Sequence, residues 1–366
     1  MSFITSLLNS AFDYFYILFH TLPRDLKGIY CLLALKYYVL KSNYFNFTIS
    51  KYFEQNYKKH PEKVALICDD RKWTFKHVEQ FSNQVANYFS EQGLKAGDEV
   101  ALFMPSRAEF AMIFLALTKI GVVTAFINEN LRLDSLIHSI SCIPAKAVIF
   151  DAEFEEAISE VYQSLSEKRK LALYCYGALK NSSLNASNIK EKMREQRDDL
   201  VKSKHSGNFS DVACYVYTSG TTGLPKASII RHSRYIMFSF LKKTVLKLNE
   251  NDVTYIAMPL YHTLGGIVCV GSTLITGQTL VIRRKFSASN FWEDCLKYKC
   301  TNVGYIGEVC RYILDQPPKE TDKLHTVRKM FGAGLRPTIW RTFVERFHIE
   351  SIFECYGSTE GNASIG

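Results

Sequence analysis

The most informative stretch of this sequence is the decapeptide Tyr217-Thr218-Ser219-Gly220-Thr221-Thr222-Gly223-Leu224-Pro225-Lys226. It lies between two apolar runs at 212–216 and 227–230. Glycines permit unusual backbone angles and a close approach to a ligand. Ser/Thr hydroxyls and backbone N–H groups can surround phosphate oxygens, and Lys226 can add a positive charge. The pattern predicts a phosphate-binding loop; the structural alternative is an ordinary hairpin turn.

A Walker-type nucleotide loop is the main competing interpretation of this stretch. That loop requires G-x-x-x-x-G-K-[ST] followed by a helix, whereas here Pro225 precedes Lys226 and Ala227 follows it. The flanking residues 214–216 and 228–230 have strand-like composition. We therefore expect a loop between two strands, which binds phosphate by wrapping around it and without a helix dipole.

The decapeptide resembles the phosphate-loop signature of the adenylate-forming superfamily, which includes acyl-CoA synthetases, luciferases and adenylation domains. Further motifs of that superfamily follow in its order: Met258-Pro259-Leu260-Tyr261-His262, Gly332-Ala333-Gly334-Leu335-Arg336 and Tyr356-Gly357-Ser358-Thr359-Glu360-Gly361. The resemblance covers residues 50–366. It implies an α/β fold with two mainly parallel sheets and flanking helices, the N-terminal part of an adenylate-forming enzyme. It also implies that ATP activates a carboxylate as an acyl-adenylate, with release of pyrophosphate.

Two narrower segments, 284–292 and 305–312, are similar to the fatty acid transport protein branch, the very-long-chain acyl-CoA synthetases. The resemblance therefore implies activation of long- or very-long-chain fatty acids to acyl-CoA, coupled to fatty acid uptake. ATP, Mg²⁺ and coenzyme A are the implied cofactors and co-substrates. These segments disfavour a luciferase or an aryl-acid ligase.

The resemblance also implies a role for each motif residue. Glu360 would hold the magnesium ion, which prefers carboxylate and phosphate oxygens. His262 would position the acyl and α-phosphate groups, and Tyr356 would stack on adenine. The predicted catalytic residues are Lys226, His262, Thr359 and Glu360. The predicted nucleotide-binding residues are Tyr217, Thr218, Ser219, Gly220, Thr221, Thr222, Gly223, Lys226, Gly332, Ala333, Gly334, Tyr356, Gly357 and Thr359.

An acyl tunnel is expected from residues 263–273 and 303–307, where Gly265 and Gly266 would leave room for the chain. Each buried methylene would contribute about 0.8 kcal/mol. Ordinary core packing explains the same apolar residues.

The formal net charge of +9 favours polyanionic ligands or an anionic membrane surface. Nucleic acid is not expected as a partner because the sequence has no recognised binding module. The ten cysteines show no metal-binding or C-x-x-C spacing, which indicates reduced, mostly buried thiols in a cytosolic-facing protein. A homo-oligomer is a further partner that the sequence allows.

Residues 1–45 are rich in aromatic and aliphatic side chains but are interrupted by charges such as Asp13 and Lys27. We expect a membrane-associated helical segment that lies at the interface or spans the bilayer; a helical hairpin packed on the body is the alternative. The expected membranes are the endoplasmic reticulum or plasma membrane, with the peroxisome as a further option. Residues 46–366 would form the AMP-binding domain, in which alternating strand and helix patterns indicate mainly parallel sheets. The polar segment 177–210 is expected to be a surface linker.

The chain ends six residues after Glu360. The resembled family continues with a ribose-binding aspartate and a mobile C-terminal lid, so we expect a truncated form of a full ligase. The alternative function is a non-catalytic membrane protein that carries fatty acids or regulates a full-length partner.

Overall fold

The computed structural model describes residues 2–167, 170–180, 184–199, 207–218, 223–357, 359 and 361, with side chains from residue 13 onward. Within them the chain forms two seven-stranded sheets. Sheet A has the strand order β14 (Ser351–Glu354), β13 (Lys329–Ala333), β12 (Asn302–Ile306), β10 (Val253–Ile256), β11 (Thr279–Ile282), β1 (Val64–Cys68) and β2 (Arg71–Thr74). Sheet B has the order β7 (Ser187–Asn188), β6 (Ala172–Tyr176), β5 (Ala145–Asp151), β3 (Glu99–Phe103), β4 (Val123–Phe126), β8 (Val212–Thr218) and β9 (Lys226–Arg231).

Both sheets are parallel except at one edge. The pair β1–β2 closes sheet A and the pair β8–β9 closes sheet B, and both pairs are antiparallel. Parallel neighbours require long crossover connections, which helices provide. The prediction of two mainly parallel sheets with flanking helices is therefore confirmed.

The helices cover the faces of the sheets. They are α1 (Ser2–Tyr44), α2 (Ile49–Lys59), α3 (Phe75–Glu91), α4 (Ala108–Lys119), α5 (Leu133–Ser141), α6 (Glu155–Ser166), α7 (Ile189–Lys192), α8 (His232–Val245), α9 (Val270–Leu274), α10 (Phe291–Lys297), α11 (Gly307–Leu314), α12 (Thr321–Leu324) and α13 (Pro337–Phe347). Short 3₁₀ turns occur at Ala152–Phe154 and Met193–Glu195, and a π-helical turn at Thr263–Cys269. Helix α4 contacts β1 of sheet A and β4 of sheet B, and every one of its residues is buried. This explains its almost continuous apolar sequence, because a helix between two layers has no solvent face.

Several sequence expectations need correction. The sequence pattern at 287–299 predicts a helix, which in the structure extends only over Phe291–Lys297. The pattern around 266–275 also predicts a helix, which instead begins as the π-helical turn. The segment 177–210 is not a wholly solvated linker: it contains β7 and α7, and Ile189 and Met193 are buried. Asn87 of α3 donates to the Arg197 carbonyl (3.0 Å), which fixes this segment to the body.

Helix α1 is a single helix that continues through Pro23, not the hairpin considered as an alternative. Among the residues of α1 whose side chains are described, those near its C-terminus pack on the body, where the Tyr38 ring stacks on Phe240 with centroids 4.0 Å apart. Most side chains between residues 13 and 33 are exposed, among them Phe19 at 78% and Tyr30 at 64%. Among the described residues, no helix combines the length and apolarity that a membrane crossing requires.

The expectation of mostly buried thiols agrees with the structure. All ten cysteines are free, and seven are buried. Burial raises the pKa of Cys175 and Cys310 to about 12, which keeps both thiols protonated near neutral pH.

Candidate active site

The predicted phosphate loop connects the two antiparallel edge strands of sheet B. Strand β8 ends at Thr218 and β9 begins at Lys226, and these two residues are paired across the hairpin. Gly223 has a φ of +87°, a left-handed conformation that favours glycine. Lys226 is exposed. Residues Ser219, Gly220, Thr221 and Thr222 lie outside the described part of the chain, so their roles stay predictions.

Helix α5 supports the base of this hairpin through two contacts that the motif alone does not reveal. The His138 Nε2 lies 2.9 Å from the Pro225 carbonyl oxygen, and the Tyr217 hydroxyl donates to the Ser139 carbonyl at 2.5 Å. The Tyr217 ring is buried, and burial raises the pKa of its hydroxyl. Because this side chain points into the protein, Tyr217 could reach a phosphate only through its backbone.

Thr359 brings the C-terminal motif against two other motifs. Its hydroxyl lies 3.1 Å from that of Thr263, the residue after His262. Its carbonyl accepts a hydrogen bond from Ser228 of β9 at 3.4 Å. Arg234 of α8 donates to the carbonyl of Gly361, close to the same point. The structure therefore gathers the 359 motif, the 262 motif and strand β9 at one place. Glu360 lies outside the described residues.

His262 lies at the edge of this cluster. Its ring is exposed and 4.5 Å from the Tyr261 ring, centroid to centroid. Surrounding protein still desolvates the imidazole enough to lower its pKa. A lowered pKa favours the neutral ring near neutral pH, which can donate one hydrogen bond and accept another. This suits a group that positions a substrate.

The Gly332-Ala333-Gly334 segment ends strand β13 and is held by Glu354 at the end of β14. Glu354 accepts hydrogen bonds from the Tyr305 hydroxyl (2.5 Å), the Leu335 N–H (3.2 Å) and the Gly334 N–H. Gly334 has a φ of +85°. At Gly332 a Cβ atom would collide with the Tyr305 carbonyl, so this position requires glycine for close packing.

One cavity of about 170 Å³ joins residues predicted for the nucleotide with residues predicted for the acyl chain. The former are Gly332, Ala333, Gly357 and Thr359, and the latter are Thr263, Leu264, Val268, Tyr305 and Ile306. Strands β12, β13 and β14 are in register there, with Ile306 opposite Ala333. The cavity therefore lies at the carboxyl ends of parallel strands, where such sheets bind ligands. Lys226, His262, Gly334 and Tyr356 are not part of its wall, and the Tyr356 ring is 81% exposed.

The expectation that Gly265 and Gly266 make room for an acyl chain is wrong. A Cβ atom at Gly265 would collide with the Pro259 carbonyl, and one at Gly266 with the Leu260 carbonyl. Both glycines allow the π-helical turn to pack against the backbone of 259–260. The acyl chain would instead meet the side chains of Leu264 and Val268.

Magnesium remains a prediction that depends on Glu360. Among the described residues, no group of three or more His, Cys, Asp or Glu side chains could hold a metal ion. A nucleotide-bound magnesium ion usually takes one or two protein carboxylates, with phosphate and water oxygens as its other ligands. Glu360, the residue after Thr359 in the sequence, would supply one such carboxylate.

The sequence interpretation missed the residues that support the motifs: His138, Ser228, Arg234 and Glu354. None belongs to a motif that indicated its role. Ser228 of β9 and Arg234 of α8 contact the backbone of residues 359 and 361. Such contacts between distant parts of the sequence are visible only in the structure.

Residues 53–365 match the family model described as AMP-binding enzyme, and the chain belongs to this family.

Within the family it is similar to long-chain fatty acid transport proteins. It is 40% identical to long-chain fatty acid transport protein 1 of Homo sapiens over 349 residues, which are 94% of this chain and 54% of that protein. It is 36% identical to long-chain fatty acid transport protein 6 of Mus musculus, over 86% of this chain and 51% of that protein. The chain thus spans about half of the length of these relatives.

Solved structures confirm the fold. An anthranilate CoA ligase in complex with anthranoyl-AMP superposes with a TM-score of 0.78 at 24% identity, over 86% of this chain and 60% of that one. A long-chain-fatty-acid-CoA ligase from Archaeoglobus fulgidus gives a TM-score of 0.75 at 18% identity, over 86% and 65%. The two sheets therefore match the N-terminal domain of adenylate-forming enzymes.

Proposed function

We propose that this chain activates long- or very-long-chain fatty acids with ATP to give acyl-adenylates. A carboxylate oxygen of the fatty acid attacks the α-phosphorus of ATP, the bond to the β-phosphate oxygen breaks, and pyrophosphate leaves. The observation that supports this most is the position of Thr359, which contacts Thr263 and Ser228 and lines the same cavity as Gly332. Thr359 thus lies next to the proposed phosphate-binding hairpin, the proposed acyl region and the proposed adenine region.

Each predicted site residue would have a separate role in this reaction. Hydroxyls and N–H groups of 218–223, with Lys226, would hold the β- and γ-phosphates, and Thr359 would donate to the α-phosphate. Tyr356, being exposed, can stack on the purine. His262 would orient the carboxylate, which is already ionised near neutral pH and needs no general base. Glu360 would hold Mg²⁺, whose charge neutralises the phosphates.

Transfer of the acyl group to coenzyme A, with fatty acid uptake coupled to it, is the second part of the proposal. The thiol of coenzyme A attacks the acyl carbon and AMP leaves, which gives acyl-CoA. The identity to long-chain fatty acid transport proteins supports this assignment. The net charge of +9 suits both ATP and coenzyme A.

We also propose that the exposed part of α1 contacts the cytosolic surface of a membrane, in the endoplasmic reticulum or plasma membrane. Its side chains between residues 13 and 33 include aromatic residues such as Tyr14, Phe15 and Tyr30, all more than half exposed. Tyrosine rings prefer the bilayer interface because one end is apolar and the other polar. Such a contact would place the domain close to a membrane-dissolved fatty acid.

Exchange of labelled pyrophosphate into ATP tests the adenylation step. We expect exchange that requires Mg²⁺ and an added fatty acid such as palmitate (C16) or lignocerate (C24). Thr222→Ala and Glu360→Gln should each lower the exchange rate at least tenfold, which is about 1.4 kcal/mol of barrier. Ser210→Ala, an exposed hydroxyl that precedes β8, is the matched control and should be neutral. Fatty-acid binding without any exchange, and indifferent to ATP, would favour the carrier function instead.

A further inference from the structure

A basic groove runs between α1 and α8, on the side of the protein from which α1 projects. It has a volume of about 660 Å³. Its wall includes Lys27 and Tyr30 of α1, Lys243 of α8, and Lys247, which follows α8. Both sides of the groove are held together, because Tyr38 of α1 stacks on α8 as described above.

The three lysines of this groove have no carboxylate partner among the described residues. No ion pair involves Lys27, Lys243 or Lys247. Glu250, the acid whose charge acts on Lys243, is already paired with Lys59 at 2.8 Å and lies 3.3 Å from His60. Lys243 is also half-buried, and desolvation lowers the pKa of its amine. A desolvated ammonium without a counter-ion is unfavourable, and an anion in the groove would stabilise it.

A fourth lysine borders the same region. The Nζ of Lys329 on β13 donates to the Lys247 carbonyl at 3.3 Å, which adds a positive charge beside the groove. Exposed aliphatic residues of α1, such as Leu26 and Ile29, flank Lys27 on both sides. The groove therefore lies beside an exposed apolar surface, and an anionic bilayer surface complements a basic region next to an apolar one.

We propose that the α1–α8 groove binds the phosphate of an anionic phospholipid headgroup, while the exposed part of α1 enters the same leaflet. The lysines supply the charge, and the Tyr30 hydroxyl can donate to a phosphate oxygen. This inference depends on the membrane contact proposed above and adds a lipid preference to it.

Vesicle flotation tests this site. The probes are vesicles of pure phosphatidylcholine and of phosphatidylcholine with 30% phosphatidylglycerol, at fixed ionic strength. We expect the protein to bind the anionic vesicles more tightly, and Lys243→Gln/Lys247→Gln to reduce that preference on the order of tenfold. Lys27→Gln, at an exposed position of α1, should reduce it by a smaller factor without any risk to the fold. Lys72→Gln/Lys95→Gln is the matched control, because both lysines are exposed and have no ion pair among the described residues.

The outcomes separate the two proposals. Equal binding to both vesicle types, unaffected by the groove variants, would overturn the headgroup site and leave the membrane contact standing. Absence of binding to either vesicle would overturn both. Inorganic phosphate that displaces the protein from anionic vesicles, where chloride of equal ionic strength does not, would show that the groove takes soluble phosphate instead of lipid. Pyrophosphate exchange in detergent should be the same in the groove variant and the native chain.

Discussion

The hydroxyl groups of Thr263 and Thr359 lie 3.1 Å apart, although 96 positions separate them in the sequence. This hydrogen bond joins the turn after His262 to the C-terminal motif. It holds both segments at the carboxyl ends of sheet A, beside the hairpin of sheet B. Both residues follow strands of sheet A, and the link to sheet B is the hydrogen bond that the Ser228 hydroxyl of β9 donates to the Thr359 carbonyl.

We expect Thr263→Val to lower the rate of pyrophosphate exchange by roughly fivefold, because Thr359 loses a hydrogen bond worth about 1 kcal/mol. Thr359→Val should cost more, since it also removes the donor proposed for the α-phosphate. The double variant should show a coupling of about 0.5–1.5 kcal/mol in a double-mutant cycle. Additive effects of the two substitutions would contradict a functional contact.

Glu354 should affect nucleotide affinity without touching the nucleotide. It fixes the Gly334 and Leu335 N–H groups and the Tyr305 hydroxyl. Glu354→Ala leaves these donors unpaired, so the 332–335 turn should loosen and the KM for ATP should rise about tenfold, with a smaller change in kcat. Steady-state exchange kinetics measure this split.

Tyr305→Phe is the control for the Glu354 prediction. It removes only the hydroxyl and leaves the carboxylate on both backbone N–H groups, so it should raise the KM for ATP less than Glu354→Ala does. An equal effect of both variants would show that the tyrosine contact, and not the turn, controls affinity.

Much of the fold could be predicted because buried strands and amphipathic helices each have a recognisable pattern of apolar residues. Apolar runs at 279–282 and 302–306 predict strands, and helical patterns at 133–141 and 337–347 predict helices. The structure has the same bounds, at Thr279–Ile282, Asn302–Ile306, Leu133–Ser141 and Pro337–Phe347. Buried parallel strands read as short apolar runs, and a proline fixes the start of the last helix.

The remaining elements depend on tertiary contacts. Strand β2 is an exposed edge strand of mostly polar residues. Its sequence therefore lacks the pattern of apolar residues that would predict a strand. The segment 187–199 looks solvated but is held by side chains of α3, such as Asn87. The π-helical turn requires glycines that only the neighbouring backbone of 259–260 explains. The motifs identified the site, whereas supports such as His138 and Glu354 could be found only from the structure.

Acid should destabilise this protein partly through His232. This residue is buried at the start of α8, and its Nδ1 accepts a hydrogen bond from the Ile49 N–H at 3.3 Å. Desolvation lowers its pKa to about 4 from its ordinary value of 6.5. Between these values the unfolded chain binds a proton that the folded protein does not, so stability falls as the pH falls from 6.5 to 4. The loss is at most about 3 kcal/mol from this group.

The measurement for His232 is urea unfolding at several pH values. In His232→Asn the amide oxygen can replace Nδ1 as acceptor but does not titrate. The variant should therefore lose less stability than the native chain between pH 6.5 and pH 4. An unchanged pH dependence would show that other groups cause the acid sensitivity.

The π-helical turn beside the cavity should tolerate no side chain at Gly266. A Cβ atom there would collide with the Leu260 carbonyl and lie 3.1 Å from Cε2 of Phe126. Because a backbone carbonyl cannot move aside cheaply, Gly266→Ala should destabilise the fold by about 1–3 kcal/mol. Gly28→Ala is the matched control, since nothing lies within 4 Å of its Cβ position in α1. There alanine should be neutral or stabilising by up to about 1 kcal/mol, because it favours the helix. Urea midpoints of both variants, measured in the same detergent, make the comparison, and equal stability of the two would contradict the close packing of residues 259–266.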